Sequence, residues 1–311
     1  MAASIVTRPD QRKRRPTKGG TIRNLIKGDC LMRFQKTTAA VLALFVATPA
    51  LAQEESSPFS VSGSIGLASD YRFRGVSQTD KEMAIQGGIT VGHESGFYVG
   101  TWGSNLAGWG TFGGSNTELD IFGGYKVALG EGVALDAGLT WFMYPGGADK
   151  TDFAELYAKL SGTLGPVTLL GGVAYAPKQQ ALGRWYVSGA SASTGVYDDP
   201  GDKEDNLYLW ADVSGAIPQT PVTLKAHLGY SNGNAGLGPN GTSIAPTGKY
   251  LDWLVGVDVA VPGTPVTAGV AYVDTDIGKS ESAYLLPNFA STKNGSSIAG
   301  GKLVFSLTAA F

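Results

Sequence analysis

From Phe59 the chain alternates between apolar and hydrophilic positions. In FSVSGSIGLASDYRF, the odd positions are Phe59, Val61, Gly63, Ile65, Leu67, Ser69, Tyr71 and Phe73, and the even ones include Ser60, Ser62, Ser64, Asp70 and Arg72. Successive side chains of a strand point to opposite faces, so one face is apolar and the other hydrophilic. The same period returns between turn residues and predicts strands near 59–74, 83–93, 97–105, 117–128, 132–144, 152–162, 166–177, 206–215, 221–232, 249–261, 265–274 and 301–311.

The connectors between these strands alternate as well. Tight links fall at 94–96, 129–132, 163–166, 217–221 and 262–264, and longer segments at 75–82, 106–116, 145–151, 178–205, 233–248 and 275–300. Short turns at one end and long loops at the other are the asymmetry of a bacterial outer-membrane barrel. The predicted strands are longer than the roughly 5–6 residues of an ordinary globular strand and reach the roughly 9–11 residues that cross a bilayer on a tilt. The expectation is an all-β fold, a transmembrane antiparallel up-and-down β-barrel of about 12 strands, over residues 59–311.

Composition sharpens this picture. The 311 residues include 45 glycines and only 16% charged residues, and no apolar run approaches the roughly 18 residues of a spanning helix. Residues 1–31 carry a basic block (Arg8, Arg12, Lys13, Arg14, Arg15, Lys18, Arg23 and Lys27) that in isolation would suggest a nucleic-acid-binding arm. From Met32, however, MRFQKTTAAVLALFVATPALA has a basic start, an apolar run and the small-residue pattern Ala50-Leu51-Ala52. These are the parts of a secretory leader. The expected organisation is an over-extended N-terminus at 1–31, a signal peptide at 32–52, a short segment at 53–58 and then the barrel, with no nucleic-acid partner. Residues 1–52 hold 10 of the 24 basic and 2 of the 26 acidic residues, leaving 14 against 24 and a net charge of −10. The single cysteine, Cys30, lies in the removed part, so neither a disulfide nor a thiol nucleophile is expected in the barrel.

Several strings carry a family resemblance. FRGVSQTD (73–80), AIQGGITVGHESGFYVGTWGSN (84–105) and FGGYK (122–126), with WFMYPG (141–146) and FAELYAKLSG (153–162), resemble the TorF family of predicted porins, known as conserved hypothetical exported proteins of Gram-negative bacteria. The resemblance covers about 59–311 and implies an outer-membrane porin without an assigned substrate. The terminal Phe311 resembles the signal by which the barrel-assembly machinery receives its clients.

On this register the inward, pore-lining charges are Asp70, Arg72, Arg74, Glu118, Asp120, Lys126, Asp136, Glu155, Lys159, Asp212, Lys225, Asp252, Asp258 and Lys302, with His227 among them. Eight are acidic and six basic, apart from the histidine. They either line a charged path or pair with one another to fill a narrow lumen. Inward Gly66, Gly88, Gly92, Gly100, Gly124, Gly138 and Gly172 suggest open space. Tyr71, Phe73, Trp141, Tyr175, Tyr230 and Tyr272 fall at the upper strand ends and form the expected aromatic girdle at headgroup level.

The function expected is passive diffusion of small hydrophilic solutes or ions, weakly cation-preferring, in a barrel bounded by outer-membrane lipid and lipopolysaccharide. The alternative is a non-conducting structural or adhesive barrel acting through its loops. A barrel hydrolase ranks lower, because His93 and His227 are the two histidines and neither has a serine placed beside it by sequence. No cofactor is expected. GLGPNG (236–241) has the spelling of a dinucleotide loop without the following helix, and the acid-rich 198–205 and 274–276 match no defined calcium loop.

Overall fold

The structure, a computed structural model, describes residues 57–311. The expected N-terminal extension and the leader at 32–52 lie outside the described residues.

Alternation matched by neighbouring turns produces a closed antiparallel barrel of twelve strands. In chain order these are β1 (Phe59–Ala68), β4 (Ala84–His93), β5 (Phe97–Asn105), β6 (Thr117–Gly130), β7 (Val133–Met143), β8 (Phe153–Leu164), β9 (Val167–Gln179), β10 (Glu204–Ala216), β11 (Val222–Asn232), β12 (Lys249–Ala260), β13 (Val266–Thr275) and β14 (Lys302–Ala310). Between β1 and β4 lies a separate two-stranded hairpin, β2 (Arg72–Phe73) and β3 (Val76–Ser77). Each barrel strand pairs with its neighbours in the chain order given. Closure comes from β1 against β14, with Leu67 opposite Leu307 and Ser64 opposite Ala310. The other edge of β1 pairs with β4 from Phe59↔His93 to Ala68↔Ala84. A closed sheet leaves no edge with unpaired amides facing lipid.

The outward positions are apolar and exposed, among them Ile65, Ile89, Val99, Ile121, Leu160 and Phe305. An apolar surface running round a closed barrel exceeds the few hundred Å² of a typical soluble patch and is the surface of a membrane-spanning barrel. Short turns gather at one end. In the 94–96 turn Gly96 has φ 101, and a Cβ there would overlap the carbonyl of Lys126, so this turn requires glycine. The segments 69–83, 106–116, 144–152, 180–203, 233–248 and 276–301 gather at the other end.

One predicted strand is corrected. The 59–74 strand ends at Ala68, whereas the other eleven predicted strands end within two residues of the observed limits. Ser69 makes the last backbone hydrogen bond of this strand with β14: its amide donates to the Phe305 carbonyl at 2.8 Å, and its Oγ accepts from the Phe305 amide at 2.9 Å. Beyond it the chain turns into the barrel.

Candidate functional site

The inward segment 69–83 is built on the hairpin β2–β3. Arg72 pairs with Ser77 and Phe73 with Val76 around Arg74 (φ 48) and Gly75 (φ 79). Positive φ at both central residues is the two-residue turn that suits a right-handed hairpin twist. Alternation therefore continues through Tyr71, Arg72 and Phe73, but on a hairpin inside the lumen. Tyr71 and Phe73 are accordingly not girdle residues. Tyr71 donates its hydroxyl to Glu118 Oε1 (3.1 Å) and packs edge-on to Trp102, and Phe73 packs edge-on to Phe142. Both rings turn inward because their outer neighbours are gone once β1 has ended.

Residues 74–80 are all buried, and hydrogen bonds hold the charged groups of the segment, with the Asp80 carboxylate accepting from the Thr292 amide and hydroxyl. Asp70 accepts from Arg72 Nε (2.8 Å), Ser77 Oγ (2.6 Å) and Thr79 Oγ1 (3.3 Å), so the hairpin carries its own polar core. A second Arg72 nitrogen donates to the carbonyls of Gly75 and Gly300. Arg74 reaches the opposite wall, where one of its nitrogens donates to both carboxylate oxygens of Glu155 at 2.7 and 2.6 Å. Its guanidinium carbon lies 4.2 Å from the centre of the Tyr208 ring and 4.7 Å from that of Phe73, both within cation–π distance. Tyr208 continues the network: its hydroxyl is 2.8 Å from His227 Nε2 and 3.2 Å from both Asp252 oxygens, and His227 Nδ1 is 2.6 Å from Asp212.

Other expected lining charges also stand on the inward register. Asp136 pairs with Lys159 at 3.0 Å and accepts from Tyr98 at 2.6 Å, and Lys225 pairs with Asp258 at 2.7 Å. Lys302 Nζ lies 3.6 Å from Asp70. Lys126, towards the short-turn end, is exposed. Glu118 and Asp120 are adjacent on the inner face of β6, both buried, with no basic side chain in ion-pair distance among the described residues.

Five of the seven inward glycines do not open space as expected. A Cβ on Gly88 would meet Trp102 at 3.2 Å, one on Gly100 would meet Phe122 at 2.5 Å, and one on Gly138 would meet the Tyr157 hydroxyl at 2.5 Å. Gly124 is filled in the same way by Tyr98, and Gly172 by Trp210. Each of these glycines receives a ring from the adjoining strand, so the wall is aromatic where the sequence suggested a gap. Tyr98, Trp102, Tyr157, Tyr208 and Trp210 were missed as lining residues. The signal was present: each is on the hydrophilic register, and each except Tyr208 lies directly opposite a glycine.

Trp141, Tyr175, Tyr230 and Tyr272 lie on the outward face towards the long-loop end, with Trp141, Tyr175 and Tyr272 exposed. Phe311 is exposed beyond β14. Of the two histidines, His93 lies at the short-turn end and, against the expectation that no serine stands beside it, has Ser95 Oγ 2.7 Å from its Nδ1 within the exposed turn; His227 is held by Asp212, Tyr208 and Asp252. No group of three or more metal-binding side chains is gathered among the described residues.

The loops cover the hairpin. Val76 packs with Trp109, Trp185, Tyr186, Leu237, Tyr250, Leu285, Phe289 and Ile298 in one buried cluster, while Tyr71 and Phe73 pack on a second that includes Phe112, Phe142, Tyr144, Phe153 and Ile244. The acid-rich loop serves its own backbone: Asp198 accepts from the Val187 amide at 2.8 Å and Asp202 from the Arg184 amide at 2.7 Å. The Val187 amide holds the Asp198 carboxyl below its ordinary pKa, with a further hydrogen bond from Ser191 acting the same way.

Residues 52–311 match the family described as "Bacterial protein of unknown function (Gcw_chp)", and the chain belongs to it. No curated protein matches. Among solved structures the chain is similar to the NanC porin, at 10% identity over 81% of this chain and 99% of that one with a TM-score of 0.48. It is similar to the KdgM porin at 6% identity, over 80% and 99%, with a TM-score of 0.46. An outer membrane channel from Pseudomonas putida F1 follows at 10% identity, over 85% and 100%, with a TM-score of 0.40.

Proposed function

We propose that this member of the Gcw_chp family is a bacterial outer-membrane channel through which small hydrophilic solutes or ions diffuse, with a weak preference for cations. The observation that carries the reading is the charge-lined interior of a closed twelve-stranded barrel. Barrels of about 8 strands are filled and those of 16–18 hold open channels, so twelve strands suit a narrow passage. Export through the leader at 32–52, delivery by the barrel-assembly machinery through Phe311, and anchoring of Trp141, Tyr175, Tyr230 and Tyr272 among lipid and lipopolysaccharide headgroups belong to the same reading. The resemblance to TorF-type porins supports it.

Cation preference rests on the acid surplus of residues 53–311, 24 acidic against 14 basic. Asp70, Asp136, Glu155 and Asp258 have Arg or Lys partners, and Asp212 and Asp252 share His227. In a narrow low-dielectric passage an acid surplus concentrates cations.

A specific observation favours a second reading, a non-conducting barrel that acts through its loops: residues 74–80 are buried under apolar loop clusters at the outer end. Refolded protein in planar bilayers decides between the two. Discrete conductance steps with a cation-signed reversal potential across a salt gradient support the channel, and a silent membrane supports the loop function.

A further inference from the structure

We propose that residues 69–83 form a displaceable plug that keeps the outer mouth shut, with the Arg74–Glu155 pair as its latch; this rests on the channel reading above. Three features separate the plug from the barrel that holds it. First, the β1–β4 ladder is complete without it, since pairing runs to Ala68 opposite Ala84. Second, its buried acid Asp70 is satisfied within the segment by Arg72, Ser77 and Thr79, so the polar core travels with the hairpin. Third, beyond Ser69 its hydrogen bonds and ion pairs to the barrel strands run through side chains: Arg74 to Glu155 on β8, Tyr71 to Glu118 on β6, Lys302 of β14 to the Lys81 carbonyl and near Asp70, and Asn105 of β5 to the Met83 carbonyl, with Arg74 also against the Tyr208 ring of β10.

The segment is also conformationally loaded. Of the five non-glycine residues with positive φ among the described residues, Arg74, Asp80 and Lys81 are here, and such conformations persist only where surrounding contacts hold them. Arg74 is the residue that both adopts the strained turn and crosses the lumen to Glu155. Breaking that buried pair strands one charge, which favours outward movement of the hairpin into water. Further hydrogen bonds tie the segment to the loops above it: the Ser77 amide to Ile298 and Asp80 to the Thr292 amide and hydroxyl in the last loop, and the Ala107 amide of the 106–116 loop to the Gln78 carbonyl. The plug therefore lifts together with the loops that cover Val76, and the barrel ladder stays undisturbed.

The register supplies the test. Because Ala68 and Ala84 face each other at the end of a ladder, residues 69–83 can be replaced by Asn-Gly, the two-residue turn suited to that gap. This variant, Glu155→Gln, Arg74→Lys and the parent are refolded, checked for the heat-modifiable barrel band, and recorded singly in planar bilayers. The expected result is a parent that is mostly closed, a turn-replaced variant that is open throughout with severalfold larger conductance, and Glu155→Gln with a raised open fraction. Arg74→Lys should fall between parent and Glu155→Gln, because lysine keeps the charge but not the guanidinium geometry. Conductance and open fraction equal to the parent in both the turn-replaced variant and Glu155→Gln would overturn the plug while leaving the channel intact. Silence from parent and turn-replaced variant alike would instead overturn the channel itself. Should the turn-replaced barrel fail to fold, Glu155→Gln alone decides: an open fraction no higher than the parent's sinks the latch.

Discussion

The indole of Trp210 on β10 occupies the space above Gly172 on β9, directly opposite in register, where a Cβ would overlap the ring. Trp210 in turn stacks on Tyr208, with centroids 5.5 Å apart, and Tyr208 carries Arg74. One glycine thus supports an aromatic column that reaches the plug.

Gly172→Ala forces the indole off this position. Overpacking of this kind costs about 1–3 kcal/mol, so the urea midpoint of the detergent-folded barrel should fall. Gly171→Ala is the matched control: it lies on the outward face with nothing within 4 Å of a new Cβ. A midpoint drop of equal size in both variants would mean that backbone freedom, and not the ring, sets the effect.

The loop 180–203 should loosen in acid through Asp198. Its folded pKa lies below the unfolded value of about 3.9 because the Val187 amide and Ser191 stabilise the carboxylate. A depressed folded pKa means that the contribution is fully present above the unfolded pKa and disappears as pH falls through the folded one. Exchange of the Val187 amide, corrected for its intrinsic pH dependence, should therefore accelerate below about pH 4 in the parent. Asp198→Asn should make exchange at this amide independent of pH over that window; a parent-like acid step in the variant would assign the transition to another group.

Deleting residues 302–311 removes β14, which pairs with both β1 and β13. Two strand edges would then face lipid, each unsatisfied polar group costing several kcal/mol. The expected outcome is loss of heat-modifiable migration on gels. A compact band from the truncated chain would show that β1 and β13 close without it.

The sequence by itself determined the barrel. Period-2 alternation at Phe59–Leu67 or Leu303–Phe305 assigns a strand and its apolar face, and the contrast between ESG at 94–96 and the long 178–205 segment assigns which end each connection occupies. These are local properties, repeated often enough to define a closed sheet. Most lining charges were legible for the same reason, since a strand that faces lipid at Leu135 must face inward at Asp136. What only the tertiary structure decided was whether alternation continued up the wall or turned back inside it. DYRFRG has the same period in both arrangements, and the choice lies with partners far away in the chain: Glu155 for Arg74, Glu118 for Tyr71 and Phe142 for Phe73. The filling of the lumen was hidden likewise, because a glycine such as Gly172 reads as a gap until the register brings Trp210 over it. Side-chain direction is written in the local chain, whereas occupancy of the space it points into depends on which strand stands opposite.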